Sequence, residues 1–120
     1  MEIKLKNTPL EVLRQAAELQ TKKSQDYQNP NSRIRQAQYY PRGCSTILDI
    51  MLGKVLRMQS VIEAMEMDPE YNQNFESLED SAIDLINYSS FFVSYMRGGI
   101  DGQDPSRDFL NRPTENKVGD

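Results

Sequence analysis

The sequence predicts an all-α fold: a bundle of three long helices followed by an irregular C-terminal tail. Three observations lead there. Apolar residues return at steps of three and four through residues 45–67 and again through 77–97. A helix-start signal opens a shorter periodic stretch at Thr8, and the chain between and after these stretches collects proline, glycine and asparagine.

The first helix is expected over residues 8–23. Thr8-Pro9-Leu10-Glu11 has the form of a capping box with proline at the first helical position, so that side-chain oxygens satisfy the free amides of the helix start. Leu10, Leu13, Ala16 and Ala17 then mark an apolar stripe. From Tyr27 to Gly43, prolines and glycine predict a loop containing one short turn of helix. The second helix, residues 45–67, carries Ile47, Met51, Val55, Met58, Ile62 and Met65 along one side. Leu48, Leu52, Leu56 and Val61 widen that stripe, which implies more than one neighbour. Asp68-Pro69-Glu70 ends this helix. Ser77-Leu78-Glu79-Asp80 reads as the cap of the third, residues 77–97, and Gly98-Gly99 closes it. Met51, Met58, Met65, Met67 and Met96 fall at helical spacing and are read as core filling. A helical domain of residues 1–97 and a tail of residues 98–120 follow, with Ile100, Phe109 and Leu110 as the tail's candidate anchors.

A chain of 120 residues, 38% hydrophobic and 27% charged, is read as one domain. It buries only about two-thirds of its unfolded surface, so completion of the bundle by a homo-oligomer is expected. The net charge of -4 argues against generic binding to nucleic-acid phosphates or to an anionic membrane. Three acids interrupt the most apolar stretch, residues 78–96, and the amino terminus has no secretory apolar run; a soluble, cytoplasmic protein is expected. Cys44 is the only cysteine and histidine is absent. These two facts exclude an intrachain disulfide, Ser-His and Cys-His nucleophiles and imidazole metal ligands, leaving carboxylate chemistry with a hard cation such as Mg²⁺.

The third helix is too apolar for a surface helix and too acidic for a plain core helix. Asp80 and Asp84, four apart, project from one side, with Asn87 and Tyr88 a turn further on. A half-buried carboxylate pair requires positive charge, from Lys54 and Arg57 on the second helix or from a bound divalent cation. The plainer reading is an interhelical ion-pair network that sets helix register without a ligand. Tyr39-Tyr40-Pro41-Arg42-Gly43 is a second candidate, where rings would stack a base and the next helix start would hold phosphate. The preferred reading there is that the tyrosines close the bundle end. Cys44 is read as a small residue at a helix start, not as a nucleophile.

Lys23-Ser24-Gln25-Asp26-Tyr27, Gly43, Gly53-Lys54-Val55-Leu56-Arg57-Met58, and Glu76-Ser77-Leu78-Glu79-Asp80-Ser81-Ala82-Ile83-Asp84-Leu85-Ile86-Asn87-Tyr88 occur in that order. Over residues 10–96 this set resembles the phage and bacterial nucleotide modification associated domain family, first type. That family is distantly similar to the all-α nucleoside triphosphate pyrophosphohydrolases of the MazG and dimeric dUTPase group. The resemblance implies an oligomeric helical bundle that handles a nucleotide through acids and Mg²⁺. Glu79, Asp80 and Asp84 would face metal and carry catalysis, Lys54 and Arg57 would meet phosphate, Asn87 and Tyr88 would lie beside sugar or base, and Asp26 and Tyr27 would close the site from the loop; Lys23 and Arg42 complete the candidate substrate-binding residues.

As an enzyme, such a chain would direct a metal-activated water at the α-phosphorus and release pyrophosphate. Two departures from the resemblance support an alternative. The Glu-Glu-x-x-Glu cluster of the pyrophosphohydrolases is missing, and Gly53 stands where the phage family often has an acid. The alternative is a non-catalytic protein that sequesters a nucleotide or cyclic-nucleotide signal of host defence. A third reading, from another class, is a helical interaction protein that inhibits a host enzyme.

Overall fold

A computed structural model of the chain describes residues 7–27, 31–68, 70 and 75–114, with the backbone alone for residues 25–27, 75 and 76. The fold is all-α. Three long helices, α1 (Pro9–Tyr27), α2 (Cys44–Met67) and α3 (Phe75–Met96), are joined to one 3-10 turn at Gln36–Tyr39. Among the described residues there is no strand, only an isolated bridge between Arg107 and Pro113. Nor is any described helix long and apolar enough to cross a membrane.

Thr8 opens α1: its hydroxyl accepts the Glu11 backbone N–H at 3.2 Å and its carbonyl accepts that of Val12 at 3.0 Å. The helix runs one turn past the expected Lys23, because Ser24, Gln25, Asp26 and Tyr27 contain nothing that breaks a helix before Pro30. Its packed side also differs from the expected stripe. Ala16 is buried and Val12 and Leu19 are half-buried against α3, whereas Leu10 and Leu13 face solvent.

The middle helix follows its expected span within one residue. Of the expected stripe, Ile47, Met51, Met58 and Met65 are buried or half-buried together with Val61, whereas Val55 and Ile62 are exposed. The third helix starts at Phe75, two residues early, so Ser77 lies inside it and is not its cap; the Ser77 hydroxyl instead accepts from Arg57 at 3.0 Å. Gly98, at φ 77°, ends α3 in the left-handed conformation, and the Gly99 N–H donates to the Ser94 carbonyl at 2.9 Å. The methionines divide: Met51, Met58 and Met65 fill the interior side, while Met67 and Met96 are exposed at helix ends.

α3 is the axis of the fold. Both α1 and α2 pack on it, α2 the more extensively, and among the described residues α1 and α2 barely touch. The buried cluster gathers where α2 starts and α3 ends: Tyr40, Cys44, Ile47, Tyr95 and Ile100, with the Tyr40 and Tyr95 rings edge to face at 6.5 Å. Residues 98–114 are irregular but folded onto that end. Ile100 enters the core, Leu110 packs against it, and Gln103 bridges the Ile100 N–H and the Tyr95 carbonyl. Phe109 anchors through its backbone. Its carbonyl accepts the Cys44 N–H at 2.8 Å, and an added Cβ on Gly43 (φ 57°) would lie 2.4 Å from that same oxygen.

Candidate functional site

Asp84 points between two ammonium groups. Lys54 Nζ lies 3.0 Å from Asp84 Oδ2, and Lys23 Nζ, arriving from α1, lies 3.5 Å from Oδ1. The geometry follows from the packing: α3 is flanked by α1 and α2, so a half-buried residue on α3 meets one lysine from each. One turn further along α3, Asn87 is buried, and its Oδ1 accepts from Gln20 Nε2 at 3.1 Å. The same Gln20 nitrogen donates to Ser90 Oγ at 3.0 Å. Tyr88 and Phe91 stand edge to face at 5.4 Å.

These groups line one cleft of about 220 Å³, formed by Gln20, Lys23, Ser24, Gln36, Lys54, Asp84, Asn87, Tyr88 and Phe91. Five residues named from the sequence thus meet here: Lys23, Lys54, Asp84, Asn87 and Tyr88. Gln20, Ser24 and Phe91 were not anticipated, although Gln20 and Phe91 follow by helical spacing from anticipated neighbours: Gln20 precedes Lys23 by three, and Phe91 follows Tyr88 by three. Gln36, from the 3-10 turn, has no such signal.

The remaining expectations fall elsewhere. Glu79 and Asp80 are exposed and do not line the cleft. Asp80 shares a side of α3 with Asp84 but lies about 6 Å nearer the helix start, a turn away from where the two lysines converge. Arg57 is spent on Ser77 instead of an aspartate. Arg42 is also outside, paired with Asp49 at 2.6 Å. The helix start beside Arg42 is not an anion site, because Phe109 occupies the first amide of α2 and Tyr40 is buried in the core. The Asp26 and Tyr27 side chains lie outside the described residues. Cys44 is buried, its thiol held above the usual range by burial and directed at the Phe92 carbonyl, which agrees with a packing role.

The donor set among the described residues does not suit a divalent cation. Among the described residues no three carboxylate or thiolate groups converge, and the one carboxylate in the cleft is already engaged by two lysines. Among the described cleft residues, two ammonium groups stand against one carboxylate. Such a site favours an anion, while the amides of Gln20, Gln36 and Asn87 supply donors and acceptors and the two rings an apolar wall.

The chain matches no protein-family model, no curated protein and no solved structure.

Proposed function

We propose that the cleft binds a nucleotide, or one nucleotide unit of a larger ligand, and retains it without hydrolysis. The observation that carries this reading is the Lys23–Asp84–Lys54 bridge at a cleft walled by amides and aromatic rings. A phosphate competing for the lysines replaces the carboxylate oxygens of Asp84 with phosphate oxygens, so the cations are offset in both the free and the bound protein. Amide side chains suit the edge of a base or the hydroxyls of a sugar, and stacking on an aromatic face contributes about 1–3 kcal/mol per base. At about 220 Å³ the cleft is smaller than the roughly 300–1,000 Å³ of sites that engulf drug-sized ligands. A single base with its phosphate outward fits that size better than a whole dinucleotide.

Retention is preferred over hydrolysis because the acids needed to assemble Mg²⁺ and to take a proton, Glu79 and Asp80, are exposed and do not line the cleft. Intact retention suits sequestration of a signalling nucleotide. The test is a panel of nucleoside mono- and triphosphates and cyclic dinucleotides, each with and without Mg²⁺, read by thermal shift and by product analysis. The expected result is stabilisation that does not require Mg²⁺, recovery of unchanged ligand, and loss of the effect in Lys54→Met. Monophosphate release in Mg²⁺ would replace this reading with the pyrophosphohydrolase. Silence from every ligand would remove nucleotide binding altogether.

A further inference from the structure

Tyr95 closes the packed end of the molecule, yet its hydroxyl takes no part in that packing. The residue is only 2% exposed. Its carbonyl accepts from the Gly98 N–H and from Gln103 Nε2, but among the described residues the phenolic oxygen has no hydrogen-bond partner. Among those residues no side-chain nitrogen or oxygen sealed from solvent lacks a partner, so the hydroxyl must open into a cavity that Tyr95 lines. Tyr95 lines two cavities, of about 490 and 210 Å³, and Asp104 and Arg107 line both. The larger one lies where the end of α3 meets residues 103–109 and exceeds the cleft in volume.

The walls of the larger cavity define the chemistry it can take. Arg97 is exposed and makes no ion pair among the described residues. The two acids are engaged within their own segment: Asp104 by the Ser106 hydroxyl and N–H, Asp108 by the Leu110 and Arg112 N–H groups and the Arg112 guanidinium. Burial pushes the Tyr95 phenol above its ordinary value, so it stays a donor at neutral pH. Two donors are thus left over, and an oxyanion would satisfy both. Asp104 and Asp108 balance Arg97 and Arg107 in charge, which disfavours a doubly charged phosphate relative to a singly charged carboxylate. Met96 and Phe109, 57% and 43% exposed, join Pro105 as an apolar wall.

We propose that this cavity is a second binding site, which takes a small carboxylate with an apolar body and receives its oxygens on the Tyr95 hydroxyl and the Arg97 guanidinium. None of its residues lines the cleft, so the site stands whether or not the cleft takes a nucleotide.

Titration of the purified full chain with benzoate, followed through backbone amide shifts, should move the amides of Arg97, Gln103 and Phe109. Neutral benzamide should leave them in place, and inorganic phosphate should bind more weakly than benzoate. Tyr95→Phe removes only a hydroxyl without a partner, so its thermal midpoint should equal the parent's while benzoate affinity falls about tenfold. Arg97→Gln, a change at an exposed position, should also weaken benzoate by about tenfold. No response of these amides, an equal response to benzamide, tighter binding of phosphate, or unchanged affinity in either variant would each overturn the proposal. A lower thermal midpoint in Tyr95→Phe would overturn its premise, by showing that the hydroxyl is already satisfied in the folded chain.

Discussion

Lys54 Nζ and Asp84 Oδ2 are 3.0 Å apart, and the same carboxylate is shared with Lys23 on a third element, so one side chain of α3 ties both flanking helices together. Replacing it acts on stability and on binding in opposite directions. Asp84→Asn leaves two ammonium groups facing each other without an offset, and should lower stability by about 1 kcal/mol, a modest figure because Lys23 is half exposed and water screens its share. The same change raises the positive charge of the cleft. Titration with nucleoside monophosphates should therefore show affinity kept or increased in Asp84→Asn, and reduced tenfold or more in Lys54→Met. A complete loss of binding in Asp84→Asn would instead place a cation at that carboxylate.

The fold was largely legible in the sequence, and the site was legible by halves. Periodicity exposed α2 and α3 because their apolar residues recur over five or six turns, and Gly98 marked a true left-handed end. The end of α1 was not legible: Lys23-Ser24-Gln25-Asp26-Tyr27 has no recurring apolar residues, so the sequence shows no helical period there. Asp80 and Asp84 look equivalent from spacing. They are separated by what packs at each level of α3, which depends on the position of α1 along it, a tertiary fact that no local pattern encodes. Likewise, a polar Gln36 in a loop becomes a site residue only when the 3-10 turn is docked.

Glycines 43 and 53 should respond oppositely to alanine. At Gly43, with φ 57° and ψ -127°, a Cβ would meet the Phe109 carbonyl oxygen at 2.4 Å and the Tyr95 ring at 2.8 Å, and both atoms belong to the packed end of the molecule. Gly43→Ala should cost about 3 kcal/mol or more. A Cβ at Gly53 has nothing within 4 Å and sits mid-helix, so Gly53→Ala should stabilise by about 0.5–1 kcal/mol. Urea unfolding midpoints of the two variants against the parent measure both signs.

Acid should loosen the C-terminal segment through two aspartates. Asp108 is held below the usual carboxylate range mainly by the backbone N–H of Arg112, helped by its guanidinium and by the Leu110 N–H; Asp104 is lowered by the hydroxyl and then the N–H of Ser106. Groups whose folded values are depressed contribute stability that is present above the unfolded value of about 3.9 and lost as pH falls through the lower folded value. Amide exchange at Leu110 and Arg112 should accordingly stay slow near neutrality and quicken only below about pH 4. In Asp108→Asn the same amides should exchange fast at neutral pH, with the acid-dependent step reduced. Equal pH profiles in parent and variant would show that another group governs this segment.

Residues 98–114 should prove part of the folding unit. Ile100 is 7% exposed and contacts a cluster that includes Ile47 and Tyr95, while Phe109 supplies the acceptor for the first amide of α2. Ile100→Ala removes buried methylenes from the packed end of two helices and should cost about 2–4 kcal/mol, lowering the thermal midpoint by on the order of 10 °C. Truncation after Gly99 removes both Ile100 and the Phe109 acceptor, and should cost more than the point substitution. Lost function in a truncated chain then reports damage to the bundle before it reports a tail-borne interface. A truncated chain that melts at the parent temperature would reverse that order and make the segment a separable appendage, and circular dichroism melting of parent, Ile100→Ala and truncated chains decides between the two.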